Sequence, residues 1–497
     1  MEINEDNQNH SQNGVLKEEE EVVVVVVPFP AQGHLNQLLQ LSRLIFSYDI
    51  PVHYVGTASH NRQAKLRVHG WNPLTTANIH FHNFEIPSFL SPPPDPSATC
   101  KFPSHMQPCF DCSKHLRQPL SQLLRNLSSR VRKVIVIHDS MMGSVIQEVR
   151  LIPNIESYSF HSVSAFTVYL YILETMGNSI EANDVFPKDI PSLEDCFTKE
   201  FLDSVASEYD YQKFNSGNVY NSCRVLEDAY LDLLDRATME SKIKNWALGP
   251  FNPVKIPKFK GSNSSHFCFE WLDKQAPNSV IYVSFGTTTA LNDEQIKELA
   301  LGLKQSNQKF IWVVRDADKG DVFDGEVRSV ELPRGYEDSV KDMGLIVRDW
   351  APQLEILGHP ATGGFLSHCG WNSCMESISM GVPIGAWPMH SDQPRNAVLI
   401  TQVLKLGIVV RDWAERHETV TSEVVENVVK RLMASKEGDE MRKRAAEIGG
   451  KVRESMDEAG VSRMELDSFV AHITMQLNQN TASELQLHQN ILATEHQ

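Results

Sequence analysis

The sequence has little positive charge and no apolar run long enough to cross a membrane. Lys and Arg number 46 against 63 Asp and Glu, which gives a formal net charge of -17 over 497 residues. No dense basic stripe offsets this excess, so nucleic acid and anionic membrane surfaces are poor candidate partners. The run VVVVVV at residues 22–27 has the length of a strand. We therefore expect neither nucleic-acid binding nor membrane insertion.

Cysteine is also scarce, and the N-terminal residues do not have the pattern of a secretory leader. Only 8 cysteines are scattered along the chain. The first 21 residues are acidic and polar, whereas a leader is cationic and then apolar. Free thiols and a cytoplasmic location are expected from this pattern. We also expect residues 1–21 to form a disordered acidic tail and residues 478–497 a polar C-terminal tail.

The length of the chain and its alternating pattern indicate two α/β domains. A chain of 497 residues exceeds what one hydrophobic core usually supports. We expect an N-terminal domain at 22–250, a Pro-, Gly- and Ser-rich linker at 251–266, and a C-terminal domain at 267–477. Buried strands alternate with helical segments in both halves, which predicts doubly wound, Rossmann-like sheets. A cleft between the domains is the natural ligand site.

The segment HCGWNSCME, from His368 to Glu376, concentrates polar residues at a predicted strand-to-helix turn. The first N–H groups of a helix and its dipole favour an anion, and open α/β sheets bind ligands at this edge. His368, Asn372 and Ser373 can donate hydrogen bonds to phosphate oxygens. Glu376 can accept hydrogen bonds from sugar hydroxyls. A nucleotide diphosphate therefore fits this segment.

A metal site is the alternative interpretation of the same segment. His368, Cys369 and Cys374 do not have the spacing of a zinc motif. Cys109 and Cys112 form a lone C-x-x-C pair without a second pair. Since isolated cysteines are more often small buried residues than ligands, we expect no metal here.

The motif around this segment is longer than the segment itself. From Trp350 to Gln393 the chain contains WAPQ, HP, GGFLSHCGWNS, GVP and DQ in order. This stretch resembles the donor-binding box of plant family 1 UDP-glycosyltransferases. The resemblance implies the GT-B fold, in which two Rossmann-like domains face a cleft. It also implies a UDP-sugar co-substrate and neither a metal nor another cofactor.

The resemblance also implies the roles of the donor-site residues. Trp350 would stack on the uracil, and Ala351 and Gln353 would form hydrogen bonds to its edge. Glu376 would hold the ribose hydroxyls. The phosphates would be bound by five residues: His368, Asn372, Ser373, Ser284 and Thr287. The transferred sugar would contact Trp371, Asp392 and Gln393.

The catalytic residues implied by the resemblance lie in the first half of the chain. His34 follows the first predicted strand in PFPAQGHLNQ, and Asp139 ends the strand VIVIHDS. By resemblance, His34 is the general base and Asp139 its carboxylate partner. His138 is next to Asp139 but should point to the opposite face of the strand. The implied reaction is attack of an acceptor hydroxyl on the anomeric carbon, with inversion and loss of UDP.

The acceptor site is predicted from four residues. Most family members have proline where this chain has Gln37, so Gln37 is a candidate acceptor contact. Phe84, Phe160 and His161 are candidate walls. The segments VPFPAQGHLNQ and WALGPFNP resemble the zeatin O-glycosyltransferase group of the family, which implies glucosylation of a zeatin-type cytokinin hydroxyl. A flavonoid, isoflavone or terpenoid acceptor, and UDP-xylose or UDP-galactose as the donor, are the alternatives.

Four further expectations concern a possible metal motif, two rival functions and the oligomeric state. Asp316-Ala317-Asp318 resembles the manganese-binding D-x-D of another glycosyltransferase fold, but its acidic, Gly-containing surroundings indicate a solvated surface loop. No G-x-G-x-x-G follows the first strand, which argues against an oxidoreductase. His34 and Asp139 argue against a non-catalytic UDP-sugar-binding protein. We expect a monomer whose partners are UDP-glucose and a small acceptor alcohol or phenol.

Overall fold

The computed structural model describes residues 22–73, 78–177, 185–241, 243–256, 266–325 and 328–475. Both predicted tails, at 1–21 and 478–497, lie outside these described residues. Positions 257–265 of the predicted linker also lie outside them. The two predicted domains are each built on one parallel sheet with helices on its faces, which confirms the expected two Rossmann-like domains.

The first sheet has seven parallel strands in the order β3-β2-β1-β4-β5-β6-β7. These strands are β1 Val22–Val27, β2 Val52–Gly56, β3 Ile79–Asn83, β4 Lys133–Asp139, β5 Ile155–His161, β6 Gly217–Tyr220 and β7 Lys244–Ala247. The α-helices of this part are α1 Gln32–Phe46, α2 Ala58–Arg67, α3 Gln107–Ser113, α4 Arg117–Ser128, α5 Ala165–Thr175, α6 Lys199–Tyr209 and α7 Arg224–Thr238.

The second sheet has six parallel strands in the order β10-β9-β8-β11-β12-β13. They are β8 Val280–Ser284, β9 Lys309–Val313, β10 Gly344–Val347, β11 Thr362–Ser367, β12 Ile384–Ala386 and β13 Gly407–Val409. The α-helices here are α8 Phe267–Leu272, α9 Asp293–Ser306, α10 Tyr336–Val340, α11 Gln353–Leu357, α12 Trp371–Met380, α13 Gln393–Val398, α14 Ser422–Ala434, α15 Lys436–Glu454 and α16 Val461–Thr474.

The valine run of β1 shows why the chain folds in layers. Alternate side chains of a strand point to opposite faces, so a strand covered by helices on both faces needs apolar residues throughout. Val24 and Val26 pack into the core that contains Leu38 of α1. Val23 and Val25 pack into a second core on the other face of the sheet. The sheet is therefore buried from both sides, as the continuous valine run predicts.

Both sheets reverse their strand order at a central pair of strands. In the first sheet β1 lies beside β4, with Val27 opposite His138. In the second sheet β8 lies beside β11, with Ser284 opposite Ser367. Ligands of doubly wound sheets bind beyond the carboxyl ends of the strands at such a switch point. His34 follows β1, Asp139 is the last residue of β4, and the segment starting at His368 follows β11.

The last described helix crosses back to the first domain. Leu466, Phe469 and Ile473 of α16 pack into the core of the first sheet, and the ring of Phe469 contacts Trp246 of β7. The predicted division of the chain assigns residues 267–477, and so α16, to the second domain. The predicted domain boundaries themselves stay predictions. No helix in the described part of the chain is both long and apolar enough to cross a bilayer.

Candidate active site

The first domain contributes one half of the site, the first half-site, and its central feature is a histidine paired with a buried carboxylate. His34 lies in the first turn of α1, and Asp139 is the last residue of β4. His34 Nδ1 is 2.6 Å from Asp139 Oδ2. The carboxylate is fully buried, whereas 25% of the imidazole side chain is exposed. Asp139 is fixed in turn because its Oδ1 accepts a hydrogen bond from the Met141 amide.

This pairing sets the tautomer and the basicity of the imidazole. With Nδ1–H donating to the carboxylate, Nε2 is left to accept a proton. Nε2 lies 3.5 Å from Ser162 Oγ. Burial lowers the pKa of His34, but the charge of Asp139 and its hydrogen bond outweigh that effect and raise it. His138 points away from this pair, as expected, because its Nε2 contacts Asn215 in the interior.

The second half-site is built at the start of α12, beyond β11. His368 follows β11, and its ring is enclosed by two glycines. A Cβ added at Gly286 or Gly370 would lie only 2.5 Å and 2.6 Å from His368 Nε2. Burial lowers the pKa of His368 to about 4, so the ring is neutral at pH 7. Its Nδ1 has no hydrogen-bond partner among the described residues. A neutral donor beside helix N–H groups fits a diphosphate.

The residues predicted to bind uracil and ribose lie close together beside α11. Gln353 Nε2 is 3.0 Å from Ser373 Oγ and 2.8 Å from Glu376 Oε2. Burial raises the pKa of the Glu376 carboxyl, with the positive field of His69 opposing it. Trp350 stacks against His69 of the first domain at a centroid distance of 5.5 Å and an interplanar angle of 13°. His69 is thus a site residue that the sequence motifs did not indicate.

Asp392 and Gln393, two of the three residues predicted to contact the transferred sugar, line the cleft with polar side chains. Burial raises the pKa of Asp392 to about 6. Gln393 Oε1 accepts hydrogen bonds from the amides of Met389 and His390. Trp371 differs from the prediction in its surroundings. Its indole packs in a core between the domains and donates to the Asn221 carbonyl at 2.8 Å, so its ring is largely a structural contact.

The two half-sites face each other across a cavity of about 990 Å³. Helix α12 contacts the first turn of α1, which carries His34, because Asn372 Nδ2 donates to the Gly33 carbonyl at 2.8 Å. The cavity wall includes the predicted base and all the predicted donor residues: His34, Ser284, Thr287, Trp350, Ala351, Gln353, His368, Trp371, Asn372, Ser373, Glu376, Asp392 and Gln393. Asp139 lies directly behind His34.

The acceptor predictions have mixed outcomes. His161 and Gln37 line the cavity, but both ends of the Gln37 amide already have protein partners. Gln37 Nε2 donates to the Ser162 carbonyl at 3.0 Å, and its Oε1 accepts from Asn221 Nδ2 at 3.0 Å.

The two phenylalanines do not line the cavity as the structure describes it. Phe160 is fully buried in the core of the first sheet, against Phe251. Phe84 packs against the core on the other face of that sheet. The placement of these two rings at an acceptor wall is therefore corrected. Ser162 and Tyr171, which sequence reasoning missed, do line the cavity.

The D-x-D segment is not a solvated loop. Asp316 and Asp318 are only 4% and 6% exposed. Asp318 contacts Arg315 and also forms an ion pair with Arg67 of the first domain, at 2.5 and 3.2 Å. The loop is buried because it docks against the other domain. Within the described residues no group of three or more His, Cys, Asp or Glu side chains is arranged to hold a metal ion.

Two facing Rossmann-like domains, with the N-terminus of α12 opposite a carboxylate-supported histidine, are the arrangement of a GT-B glycosyltransferase. Comparison with known proteins agrees. The glycosyltransferase N-terminal domain family matches residues 20–253, and the family described as UDP-glucoronosyl and UDP-glucosyl transferase matches residues 261–445. The chain belongs to the family 1 UDP-glycosyltransferases, for which a UDP-sugar is the co-substrate.

Several relatives are similar over nearly their whole length. The chain is 57% identical to a zeatin O-glucosyltransferase of Phaseolus lunatus, over 90% of this chain and 96% of that protein. It is 55% identical to a zeatin O-xylosyltransferase of Phaseolus vulgaris, over 92% of this chain and 99% of that one. A cis-zeatin O-glucosyltransferase of Zea mays is 40% identical over 90% of this chain and 97% of that protein.

Solved structures share the fold. A transferase of Siraitia grosvenorii in complex with UDP has a TM-score of 0.70 at 26% identity, covering 92% of this chain and all of that one (100%). UGT2 of Phytolacca americana, complexed with UDP-2fluoro-glucose and pterostilbene, has a TM-score of 0.71 at 24% identity, covering 92% and 100%.

Proposed function

We propose that the protein transfers glucose from UDP-glucose to the side-chain hydroxyl of a zeatin-type cytokinin, with inversion at the anomeric carbon. The observation that carries the reaction type is the His34–Asp139 pair, 2.6 Å apart, facing the start of α12 across the cavity. The acceptor class is supported by the relatives of Phaseolus lunatus and Zea mays, which are named for zeatin.

In the proposed mechanism His34 acts as the general base. Its Nε2 takes the proton of the acceptor hydroxyl as the oxygen attacks the anomeric carbon, and the bond from that carbon to UDP breaks. Asp139 keeps Nδ1 protonated and stabilises the imidazolium that forms. A positioned base typically contributes about 10²- to 10⁴-fold, so alignment of the two substrates in the cleft must supply the rest.

The proposed donor site holds UDP along the ends of β8 and β11. Trp350 stacks on uracil, with Ala351 and Gln353 at its edge, and Glu376 accepts from the ribose hydroxyls. The negative charge that develops on departing UDP meets the α12 N–H groups and a set of neutral donors. These donors are His368, Asn372, Ser373, Ser284 and Thr287. Asp392 and the Gln393 amide nitrogen bind the sugar hydroxyls, with backbone at Trp371 nearby.

The acceptor is proposed to occupy the part of the cavity in the first domain. A cytokinin has a planar purine and a short isoprenoid alcohol, so it needs a polar wall at one end and an apolar wall near the base. His161, stacked on Tyr220 at 5.0 Å, and Asn218 offer the polar wall. Val168 and Phe197 offer apolar contacts. A flavonoid or isoflavone is the second candidate, because a cavity of about 990 Å³ has room for it.

A matrix of donors and acceptors tests this proposal. The values of kcat/KM would be measured for UDP-glucose, UDP-xylose and UDP-galactose against trans-zeatin, cis-zeatin, dihydrozeatin and a flavonoid panel. We expect UDP-glucose with a zeatin to be the best pair. UDP-xylose is the sharpest competitor, because the Phaseolus vulgaris relative, at 55% identity, is named for xylose transfer. Turnover of flavonoids with every cytokinin inert would contradict the acceptor and leave the transferase intact.

Metal independence is a further part of the proposal. Asp318 of the D-x-D segment is engaged by Arg67 and Arg315, which supports a structural role for that segment. We expect full turnover in excess EDTA, and a loss that is restored by added manganese would contradict this. A cytoplasmic location and a monomeric state are proposed on the sequence alone. The eight free thiols are compatible with a reducing compartment.

A further inference from the structure

A buried asparagine on α13 joins three parts of the site without lining the cavity as described. Asn396 is fully buried, one helical turn after Asp392. Its Nδ2 is 2.6 Å from Asp392 Oδ2 and 3.0 Å from the Cys369 carbonyl oxygen. Its Oδ1 is 3.0 Å from Ser164 Oγ and 3.3 Å from Thr167 Oγ1. The side-chain amide is therefore surrounded by partners on both ends.

The chemistry of these partners fixes the orientation of the amide. A carbonyl oxygen and an ionised carboxylate only accept hydrogen bonds, so the NH2 group must face Cys369 and Asp392. The amide oxygen then faces the hydroxyls of Ser164 and Thr167, which can donate. Aspartate, glutamine or leucine at this position could not make the same contacts. An aspartate would place a second carboxylate against Asp392.

Each partner belongs to a different part of the site. Asp392 is the N-cap residue that precedes α13, and it lines the cavity. Cys369 is a non-glycine residue with a left-handed backbone (φ 64°), and it makes the turn into α12. Ser164 caps the N-terminus of α5 in the first domain, where its hydroxyl accepts from the Thr167 amide. One side chain thus ties the sugar-facing carboxylate and the phosphate-facing helix to the acceptor domain.

We propose that Asn396 is a positioning residue that holds the Asp392 carboxylate in a fixed position relative to the first domain, so that the donor sugar is presented to His34. This inference rests on the proposed function of Asp392 as a contact of the transferred sugar. Asn396 acts through Asp392 and does not itself touch a substrate.

The environment of Asp392 gives the proposal a pH signature. The charge of Asp392 raises the pKa of titratable groups on several elements: His34 on α1, Tyr171 on α5, Cys374 on α12, and Cys196. Burial raises the pKa of Asp392 to about 6, and the hydrogen bond from Asn396 opposes that rise. Removing the amide therefore raises the pKa of Asp392 further, so a larger fraction is protonated near neutral pH.

The experiment compares Asn396→Asp and Asn396→Ala with wild-type enzyme. The KM for UDP-glucose, kcat, and the Kd of UDP by calorimetry would be measured for each. We expect kcat/KM for UDP-glucose to fall about 10-fold or more, as for loss of a hydrogen bond to a buried charge. The Kd of UDP should change less than about twofold. In Asn396→Ala the acid limb of kcat/KM should move to higher pH.

Asn154→Asp is the matched control. Asn154 Nδ2 donates to the carbonyls of Ser128, Val131 and Arg132 away from the cavity. This change should lower thermal stability and leave the ratio of UDP-glucose KM to UDP Kd unchanged. Equal effects of Asn154→Asp and Asn396→Asp on that ratio would overturn the inference. A parallel loss of UDP and UDP-glucose binding in the Asn396 variants would also overturn it.

Thr167→Val keeps the proposal testable if both Asn396 variants fail to fold. It removes one hydroxyl beside Asn396 Oδ1 and preserves the shape of the side chain. We expect a rise of about two- to fivefold in the KM for UDP-glucose with an unchanged Kd for UDP. An unchanged KM would contradict the inference. If Asp392→Asn itself leaves the KM for UDP-glucose unchanged, the proposed sugar role of Asp392 is wrong, which is a separate failure.

Discussion

Asn372, at the start of α12 in the donor domain, donates a hydrogen bond of 2.8 Å to the carbonyl of Gly33, the residue before His34. The contact places the helix N-terminus proposed for the diphosphate directly beside the first turn of α1, which carries the proposed base. Trp371, the preceding residue, donates to Asn221 of the first domain at 2.8 Å. The geometry of the reaction centre therefore depends on closely fitted domains.

The Asp139 carboxylate should control both the rate and its pH dependence. In Asp139→Asn the tautomer of His34 is no longer enforced, and we expect kcat to fall by about 10²-fold or more. The proposed base works only when neutral, so activity is lost as pH falls through the His34 pKa. Asp139 raises that pKa against the effect of burial, so its removal should move the acid limb of the kcat profile to lower pH. A shift to higher pH would contradict the pairing.

Burial raises the pKa of Asp392 to about 6, so protonation of this carboxylate also contributes to the loss of activity at low pH. His34 and Asp392 each shift the pKa of the other, so the acid limb reports a coupled titration of both groups. The profile of Asp392→Asn provides the control. In that background the further change Asp139→Asn should still move the remaining limb to lower pH.

Gln37 is predicted to stabilise the fold around the base more than it selects the acceptor. Gln37→Ala leaves the Ser162 carbonyl and the Asn221 amide without their partner, which should cost about 1–3 kcal/mol of the free energy of unfolding. The KM for the acceptor should change little. Gln295→Ala is a control, because Gln295 makes two similar bonds to the Val420 backbone in the donor domain. A large rise in acceptor KM with unchanged stability would instead identify Gln37 as an acceptor contact.

Arg67 should contribute to the joining of the domains. In Arg67→Met, Asp318 keeps Arg315 but loses its partner from the first domain, and we expect a loss of about 1–3 kcal/mol in thermal or denaturant unfolding. Lys199→Met is the control. The Lys199–Asp203 pair is exposed, and its loss should change stability by less than about 1 kcal/mol. Equal effects of the two changes would show that the Asp318 contact does not join the domains energetically.

The parts of the fold that were predictable are those fixed by local pattern. The buried runs of β1, β4 and β8 are mostly apolar, β11 contains Phe365 and Leu366, and each run leads into a motif. Because parallel strands align their carboxyl ends, this pattern predicts that His34 and the segment from His368 lie at strand ends that face a cleft, whereas the roles of the individual residues follow from the resemblance.

The elements that the sequence did not predict either contain many polar residues or depend on contacts between residues far apart in the sequence. The edge strand β3, with sequence IHFHN, and the central strand β5, with sequence IESYSFH, carry polar side chains that hide the strand pattern. Without β5, nothing in the sequence indicated that Ser162 would face His34. The return of α16 to the first domain and the docking of Asp318 on Arg67 depend on contacts between residues far apart in sequence. Phe160 was mistaken for a pocket wall because an aromatic core residue has the same sequence signal.

The most direct test of the central claim is the change His34→Ala, with UDP-glucose transfer to trans-zeatin and UDP binding measured on the same preparation. The base lies in the first domain and the proposed nucleotide contacts lie in the second. We therefore expect kcat to fall by at least about 10²-fold while the Kd of UDP changes less than about twofold. Transfer at the wild-type rate in this variant would contradict the assignment of His34 as the base.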